Sequence, residues 1–389
     1  MSKLVRKVET NESTATLFFE GEINSSTAPE AEKELTEALQ GLSFQKLVLD
    51  IEGVTYLSSA GLRVILKAKQ AYKNVSIVNA SLAVYDILSM TGFTNILEVK
   101  KVLNKVDVTG CEVIGEGYTA VVYRLDKDTI VKVYRFATEV KDVERELNMA
   151  KRAFVLGIPT AISFDIVRVG DKLGVRFEML DSKMLRDLFL AKPDSFDEYI
   201  TKYANLLKTI NSTEPNDPSL PSTNEEWIKK VEALEPYLDK ALYQKLLGMV
   251  QAIPQRETFV HGDCHIKNIL VQDDELYLID MDTLSRGHPI FELASLCAPY
   301  LLFEEDVPGN NEVFFGISVA LSKKIYYGML ERYLGRDDKV AQGKIRLLAY
   351  IHMAWWFLTY DPKNKERLER GIKRLKDFAP NYDDFEVGI

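Results

Sequence analysis

The sequence of 389 residues has no run of about 18 apolar residues, the length that a membrane-spanning helix needs. Its first ten residues contain no apolar stretch long enough for a signal peptide. The three cysteines, Cys111, Cys264 and Cys297, lie too far apart for a disulfide framework or a compact metal-binding motif. We therefore expect a cytoplasmic protein without a membrane partner. Its length and its 46% hydrophobic residues favour two or three globular domains.

Basic patches are also missing from the sequence. The net charge is −9, of which residues 1–104 carry −1 and residues 105–389 carry −8. A protein that binds a nucleic-acid duplex needs a basic face that displaces counterions, and no such stripe of lysine and arginine is present. This excludes nucleic acid as an expected partner. The acidic balance suits a cationic small-molecule substrate better than an anionic one.

Residues 1–104 show strand and helix patterns in alternation, which predicts a small α/β domain. Apolar and β-branched residues predict strands at 16–23, 46–51 and 75–79. Amphipathic spacing and capping residues predict one helix that ends near Gln40, a second that begins near Ser59 and a third over 81–91.

The pattern changes near Val106, and we assign residues 105–389 to a second domain. Its first part predicts a five-stranded antiparallel layer, with strands at 108–114, 121–125, 129–134, 164–169 and 173–179. A charged helix is predicted over 140–154, and beyond Asp181 the sequence is mostly helical. The second domain therefore divides into an N-lobe, residues 105–180, and a C-lobe, residues 181–389.

A β-rich segment of the C-lobe contains the sequence HGDCHIKNIL over residues 261–270, and Asp280 follows at the end of an apolar strand. Phosphoryl transfer needs a carboxylate that accepts or orients the attacking hydroxyl, and oxygen ligands that hold magnesium on the nucleotide phosphates. Asp263 matches the first role, and Asn268 with Asp280 matches the second. An isolated His-Gly-Asp is usually an ordinary turn, but these residues in this order predict a phosphotransferase site.

A glycine-rich hairpin precedes this motif in the N-lobe. Gly115 and Gly117 lack side chains, which lets the backbone approach phosphates, although a Gly-x-Gly turn alone is more often a plain hairpin. Lys132 lies inside an apolar strand, and a buried ammonium needs an anion. That anion is a nucleotide phosphate or a carboxylate on the next helix, for which Glu146 is better placed than Glu144.

Residues 106–389 resemble the aminoglycoside phosphotransferase and choline kinase family, which has the bilobal α+β fold of protein kinases. The resemblance implies that ATP and magnesium are the cofactors. It also implies that Asp263 is the catalytic base and that Asn268 and Asp280 bind magnesium. Lys132, paired with Glu146, would then grip the α- and β-phosphates of the nucleotide.

The same resemblance places the adenine-binding hinge at residues 177–180, so that Glu178 and Leu180 are candidate nucleotide-binding residues. The sequence departs from the family's pattern where Ile266-Lys267 replaces a common Pro-Gly and where Glu292 replaces an aspartate. His265, two residues after the base, is either a phosphate contact or a structural histidine of the loop.

The first hundred residues resemble the STAS domain of bacterial anti-sigma factor antagonists, an α/β fold with a mixed sheet and helices. The resemblance rests on residues 19–29, 47–54 and 56–65. It implies that Ser59 is a phosphorylation site. The physics of helix termini agrees, because a phosphate in the first turn of a helix meets free N–H groups and the positive end of the helix dipole. The alternative is that Ser58 caps this helix and Ser59 is merely exposed.

These features lead to one expectation and two alternatives. We expect an ATP- and magnesium-dependent phosphotransferase that modifies the hydroxyl of a small molecule, joined to a STAS domain that regulates it or docks a protein partner. The first alternative is a protein kinase that phosphorylates a STAS serine, either Ser59 or that of another chain. The second is a nucleotide-sensing interaction module with little turnover, which the complete set of base and metal positions disfavours.

Overall fold

The structure is a computed structural model that describes residues 4–11, 13–117, 119–136, 139–217 and 219–389. It divides into two compact units, one ending at Val106 and the other beginning at Asp107. The boundary drawn from the sequence, between residues 104 and 105, lies two residues earlier.

The N-terminal unit is a five-stranded mixed sheet with helices packed on it. Its strands are β1 (Val5–Asn11), β2 (Thr14–Ile23), β3 (Lys46–Leu57), β4 (Val75–Ala80) and β5 (Glu98–Lys101). Its helices are α1 (Ala28–Leu39), α2 (Ser59–Ala71) and α3 (Leu82–Met90), with a 3₁₀-helix at Phe93–Asn95. Strand order follows chain order, with β1 antiparallel to β2 and all other neighbours parallel. A short strand β6 (Asn104–Lys105) follows.

Three strands of this unit, β1, β3 and β5, differ from the sequence-based assignment, and β5 at Glu98–Lys101 was not predicted. β1 was not predicted, because its sequence VRKVETN has few apolar residues, yet it pairs with β2 along most of its length. β3 continues to Leu57 instead of ending at Ile51. The segment around Gly53 resembles a turn in sequence, but it stays paired with β2 after a shift of register, with Gly53 opposite Glu20.

The N-lobe of the second unit is an antiparallel layer. Its strands are β7 (Glu112–Glu116), β8 (Ala120–Arg124), β9 (Thr129–Tyr134), β10 (Ser163–Val169) and β11 (Lys172–Glu178). They lie in the order β10-β11-β9-β8-β7. Helix α4 (Val140–Val155) packs against β10 and β11 and buries Val143, Leu147 and Ala150. Apolar residues at helical spacing therefore fix α4 on the sheet, and the buried Glu146 lies on the same side.

The C-lobe is mostly helical. Its helices are α5 (Leu185–Ala191), α6 (Phe196–Ser212), α7 (Thr223–Ala233), α8 (Lys240–Gln251), α9 (Ile290–Cys297), α10 (Phe303–Asp306), α11 (Asn310–Phe315), α12 (Val319–Leu334), α13 (Lys339–Tyr360) and α14 (Lys365–Phe378). Short 3₁₀-helices lie at Pro193–Ser195, Glu235–Tyr237, Met281–Thr283 and Ala379–Asn381, and a π-helix lies at Ala298–Leu302.

Small sheets carry the segments around the sequence motif. The strands are β12 (Lys183–Met184), β13 (Phe259–Val260), β14 (Ile269–Gln272), β15 (Glu275–Leu278) and β16 (Ser285–Arg286). They form the antiparallel sheets β12-β14-β15 and β13-β16. The loop of residues 261–268 thus runs between two buried strands, β13 and β14. The architecture is the expected one, an α/β unit followed by a bilobal α+β unit. No helix in the described part of the chain combines the length and apolarity needed to cross a membrane.

Candidate active site

A cavity of about 480 Å³ lies between the N-lobe strands and the β14–β15 hairpin. Six residues singled out in the sequence line it: Gly115, Lys132, Glu146, Glu178, Leu180 and Asp280. Much of the remaining lining is apolar, including Val122, Ile130, Phe177, Leu270 and Ile279. A largely apolar cavity that contains one cluster of charged groups is typical of a site for a small ligand or cofactor.

Lys132 connects the two lobes at this cavity. Its Nζ lies 2.8 Å from Glu146 Oε1 and 2.7 Å from Asp280 Oδ1. Only 13% of the Lys132 side chain and 4% of the Glu146 side chain are exposed. Burial disfavours the ammonium, but the two carboxylates outweigh this effect and raise the pKa of Lys132. Its helical partner is therefore Glu146 and not Glu144.

Tyr134, two residues further along β9, gives Glu146 a second partner. Its hydroxyl donates a hydrogen bond to Glu146 Oε2. Burial, followed by the Glu146 charge, raises the pKa of Tyr134, so that the phenol stays a donor. Tyr134 was not predicted as a site residue, although residues two apart on a strand share a face and Lys132 was expected there.

The glycine-rich hairpin lies only partly in the cavity wall. Gly115 lines the cavity, whereas Gly117 lies outside its lining and donates its N–H to the Ala120 carbonyl at 2.9 Å. Arg135, at the end of β9, fixes this turn: its Nε donates to the Gly117 carbonyl at 3.3 Å and its guanidinium pairs with Glu116. The turn is therefore anchored to the strand that carries Lys132.

The predicted hinge lines the cavity through Glu178 and Leu180. The Glu178 N–H donates to the Ile162 carbonyl at 2.8 Å, and the Glu178 carboxylate accepts the Ile162 N–H at 3.2 Å. Met179 donates its N–H to the Asp128 carbonyl at 2.8 Å. The Leu180 N–H has no hydrogen-bond partner among the described residues, so this donor remains available to a ligand.

Asp263 and Asn268 face each other across the loop. Asn268 Nδ2 donates to the Asp263 carbonyl at 2.9 Å and to Asp263 Oδ2 at 3.1 Å. His265 Nε2 lies 3.4 Å from Asp263 Oδ1. The imidazole of His265 is buried, with ring centroids 5.3 Å from Phe314 and 5.5 Å from Phe315, so it packs as a structural part of the loop.

Three aspartates at this site carry interacting charges. Burial, followed by the Asp280 charge, raises the pKa of Asp263 to about 7, while Asn268 and Lys267 oppose this shift. Water reaches the carboxylate, since 47% of the Asp263 side chain is exposed, and this moderates the effect of the surrounding protein. Asp282 is also exposed to solvent, yet partial removal of water from its carboxylate, followed by the Asp280 charge, raises its pKa to about 7. Asp282 was not predicted as a site residue.

Asp280 occupies an unusual backbone position. Its φ is 69° and its ψ is 67°, in the left-handed region that residues other than glycine rarely adopt. Such strain persists where the surrounding structure enforces it, and it is common at functional sites. It places the carboxylate against Lys132 at the end of the strand β15.

The donor set at this position fits magnesium. Asp280 supplies carboxylate oxygens and Asn268 an amide oxygen, which are ligands that magnesium prefers. Burial, followed by the Asp280 charge, raises the pKa of Asp263 and of Asp282 beside them. The described residues contain no cluster of three or more acidic, histidine or cysteine side chains arranged to hold a metal. Asn268 and Asp280 remain the predicted protein ligands of a magnesium ion.

Glu292, which replaces an aspartate of the family's pattern, holds the loop of residues 261–268. Its carboxylate is fully buried on α9 and accepts the N–H of His261 at 2.5 Å and of Gly262 at 3.0 Å. Burial raises the pKa of Glu292 to about 7, and these N–H groups oppose the shift. The longer side chain thus reaches the loop backbone directly.

A second departure from the family's pattern also has a structural reason. The Ile266 N–H donates to the hydroxyl of Tyr300 at 3.0 Å, and both residues are fully buried. A proline at position 266 would have no N–H to donate. Tyr203, also buried, donates its hydroxyl to the Cys264 carbonyl at 2.6 Å. Two tyrosines therefore fix the loop between Asp263 and Asn268.

Ser59 lies in the N-terminal unit, where it is the first residue of α2 and is exposed. The Ser58 hydroxyl caps α2 by accepting the N–H of Ala60 at 3.2 Å and of Gly61 at 3.4 Å. Capping by Ser58 leaves the Ser59 hydroxyl free of that role. The structure therefore contains both a Ser58 that caps α2 and an accessible Ser59 hydroxyl.

Comparison with known proteins gives matches for both units. The sequence model of the phosphotransferase enzyme family matches residues 110–315, and that of the STAS domain matches residues 6–108. No curated protein matches the sequence.

The chain is also similar to solved structures. One is the streptomycin–ATP–APH(2")-IIa ternary complex, at 16% identity and a TM-score of 0.47, covering 69% of this chain and 90% of that chain. Another is the aminoglycoside phosphotransferase APH(2'')-Ib with ADP, at 16% identity and a TM-score of 0.48, covering 69% and 92%. A third is a choline/ethanolamine kinase family protein from Mesorhizobium loti, at 14% identity and a TM-score of 0.45, covering 69% and 89%.

Proposed function

Because the chain belongs to the phosphotransferase enzyme family, we propose that it transfers the γ-phosphate of ATP to the hydroxyl of a small molecule in a magnesium-dependent reaction. The observation that carries this proposal is the ion-pair network of Lys132, Glu146 and Asp280 in the wall of the cavity. In the same proposal the STAS domain regulates the enzyme or docks a protein partner.

Asp263 is the proposed catalytic base. Its Oδ2 is oriented by Asn268 Nδ2, and its Oδ1 lies beside His265, so the carboxylate is held in place before the acceptor binds. A pKa near 7 suits a group that receives a proton from a hydroxyl at neutral pH, because such a carboxylate is more basic than an ordinary aspartate. The proton of the attacking hydroxyl would move to this carboxylate.

The nucleotide would be held by groups of both lobes. Asn268 and Asp280 are the proposed magnesium ligands, and magnesium would neutralise charge on the phosphates. Lys132, held by Glu146, would contact the phosphates, and the backbone at Gly115 and Gly117 would cover them. The free N–H of Leu180 and the backbone of Glu178 are the proposed contacts of the adenine ring.

The separate roles of the two aspartates give the test of this proposal. In Asp263→Ala we expect phosphotransfer to fall by about 10²–10⁴-fold, while binding of Mg–ATP is largely retained. In Asp280→Ala we expect both turnover and Mg–ATP binding to be lost. The measurements are γ-phosphate transfer from labelled ATP and calorimetric titration with a non-hydrolysable ATP analogue in the presence of magnesium.

Asp171→Ala provides the matched control, since Asp171 is an exposed aspartate in the turn between β10 and β11. It should change neither phosphotransfer nor Mg–ATP binding. Retention of more than about a tenth of wild-type transfer by Asp263→Ala would show that the base has been assigned wrongly.

A second candidate function is supported by the accessible Ser59 hydroxyl at the start of α2. In that case the enzyme is a protein kinase, and the acceptor is a STAS serine. An Asp263→Ala chain mixed with an active Ser59→Ala chain separates the candidates. Label on the inactive chain would establish phosphorylation of Ser59 between chains, whereas an unlabelled inactive chain leaves the small-molecule function.

A further inference from the structure

Two lysines of the second unit have opposite surroundings. Lys132 Nζ is bonded to two carboxylates. Lys267, one residue before Asn268, makes no hydrogen bond or ion pair within the part of the chain that the structure describes, and its Nζ lies 4.7 Å from the ring centroid of Phe314. The Asp263 charge acts on this ammonium, but among the described residues no carboxylate forms an ion pair with it. An ammonium that is partly removed from water without a paired anion is unfavourable, and a bound anion would remove that cost.

From this contrast we propose that Lys267 binds an anionic group, a carboxylate or a phosphate, of the small molecule whose hydroxyl is phosphorylated. The proposal rests on the proposed function, in which Asp263 is the base. It names a class of acceptor: a hydroxyl compound that carries an acidic group.

The position of Lys267 separates it from the nucleotide. The described residues that line the cavity of about 480 Å³ do not include Lys267, Phe314 or Arg186. Lys267 belongs to the loop that begins with Asp263, but its ammonium points to α11, which carries Phe314. An acceptor must reach Asp263 from outside the nucleotide cavity, and this places Lys267 beside the path of the acceptor.

Arg186 adds a second cation on this side. Its charge acts on the Lys267 ammonium, and its Nε and Nη2 pair with Asp187 Oδ1 at 2.9 and 2.7 Å. Its Nη1 has no partner in the described residues and lies 3.7 Å from the position that a Cβ at Gly316 would take. Two donors, Lys267 Nζ and Arg186 Nη1, therefore remain for an anion, and hydrogen bonds between charged groups are the strong ones.

The ring of Phe314 gives the acceptor an apolar surface next to these donors. Phe314 is 38% exposed, and one of its neighbours is the buried imidazole of His265. Because His265 also lies beside Asp263, the packing of α11 on the loop fixes the base and the anion-binding lysine in one arrangement. Such preorganisation lowers the cost of binding.

This local arrangement differs from the expectation drawn from net charge. The total of −9 favours a cationic substrate, but charges further away than about 10 Å are screened by salt, so contacts near the base decide the acceptor class. The proposal therefore replaces the cationic acceptor expected from composition.

The test uses the full chain saturated with magnesium and the non-hydrolysable analogue AMP-PNP, so that the γ-phosphate position is filled. Calorimetric titrations are then made with inorganic phosphate, with D-gluconate and with D-glucosamine. We expect at least one of the two anions to bind more tightly than glucosamine, and we expect Lys267→Gln to weaken that binding by about tenfold or more. Comparison of phosphate with gluconate distinguishes a phosphorylated acceptor from a hydroxy acid.

Lys323→Gln is the matched control, because Lys323 is an exposed lysine of the same lobe. It should leave anion binding unchanged. Preferential binding of glucosamine, no binding of either anion, or equal binding of the anions to wild type and Lys267→Gln would each overturn the proposal. Failure of AMP-PNP to bind would instead contradict the proposed function, and weaker AMP-PNP binding in Lys267→Gln would assign this lysine to the nucleotide.

Discussion

Buried carboxylates occur in both units, but their partners differ. In the N-terminal unit, Glu34 accepts the N–H of Leu4 at 2.9 Å and of Val5 at 2.7 Å, and so ties α1 to β1. Asp50 accepts the side-chain amide of Asn79 at 2.8 Å. In these hydrogen bonds each carboxylate accepts from neutral donors of its own unit.

In the second unit, carboxylates come together at a cavity. Glu146 and Asp280 share the Lys132 ammonium. Burial, followed by the Asp280 charge, raises the pKa of Asp263 and of Asp282. Neutral backbone donors could hold the fold equally well, without the repulsion between these neighbouring carboxylates. Glu292, also in the second unit, is bound by neutral N–H groups as Glu34 is, so the difference lies in the cluster at the cavity. Like charges gathered around one cation in this way are typical of a functional site.

The largest expected effect comes from removing the shared cation. Lys132→Met leaves Glu146 and Asp280 without their common partner, and breaking such a buried pair costs about 3–5 kcal/mol. We expect binding of Mg–ATP to weaken by about 100-fold or more, measured by calorimetry. Lys127→Met, at a lysine whose side chain is 86% exposed, is the control and should bind normally. Normal binding by Lys132→Met would remove the basis of the comparison.

A second test concerns Glu292, whose pKa is raised from 4.5 to about 7 by burial. Because the folded state takes up this proton more readily, the resulting stability is complete below pH 4.5 and is lost as the pH rises through about 7. In wild type we expect this change to lower the free energy of unfolding by about 3 kcal/mol between those limits, and Glu292→Gln should lack it.

Urea denaturation from pH 4.5 to 8, followed by tryptophan fluorescence, measures this effect. All three tryptophans, Trp227, Trp355 and Trp356, lie in the second unit, so the signal reports on that unit alone. Glu312→Gln, at an exposed glutamate of the same lobe, should behave as wild type. Equal pH dependence in wild type and Glu292→Gln would show that this carboxylate is already ionised at low pH.

A smaller effect is expected in the N-terminal unit. A Cβ at Gly61 would lie 2.6 Å from the Ile23 carbonyl oxygen and 2.6 Å from Leu57 Cδ1. Gly61→Ala should therefore destabilise this unit by about 1–3 kcal/mol. Hydrogen exchange of peptides from residues 4–106 should rise, while tryptophan fluorescence and Mg–ATP binding stay unchanged.

Gly248 supplies the contrast for that substitution. It lies within α8, and no atom is within 4 Å of the position of an added Cβ, so Gly248→Ala should stabilise the second unit by about 0.5–1 kcal/mol. Loss of Mg–ATP binding in Gly61→Ala would show that the stability of the first unit affects ligand binding by the second, which would contradict this comparison.

Features that depend on neighbouring residues were accessible from the sequence. The strand β9 was predicted with its observed bounds, because its apolar residues and the flanking turn lie within one short segment. The order of Asp263, Asn268 and Asp280 pointed to phosphoryl transfer for the same reason. The sequence match to the phosphotransferase enzyme family agrees with that interpretation.

Features that depend on residues distant in the sequence could not be predicted from it. Tyr134 became part of the site only because α4 brings Glu146 to its hydroxyl. That Lys267 has no ion-pair partner among the described residues follows from the packing of α11 on the loop of residues 261–268, and no local sequence pattern indicates it. The strand β1 depends on pairing with β2 to compensate for its polar sequence.

The fate of the γ-phosphate is the most direct measure of the central claim, that the second unit phosphorylates a small-molecule hydroxyl. The full chain would be incubated with magnesium, γ-labelled ATP and a fraction of small metabolites, beside the Asp263→Ala chain. We expect label to enter small molecules with wild type, to be absent from them with Asp263→Ala, and to be absent from Ser59 in both. Label found only on Ser59, or released only as inorganic phosphate, would contradict the claim.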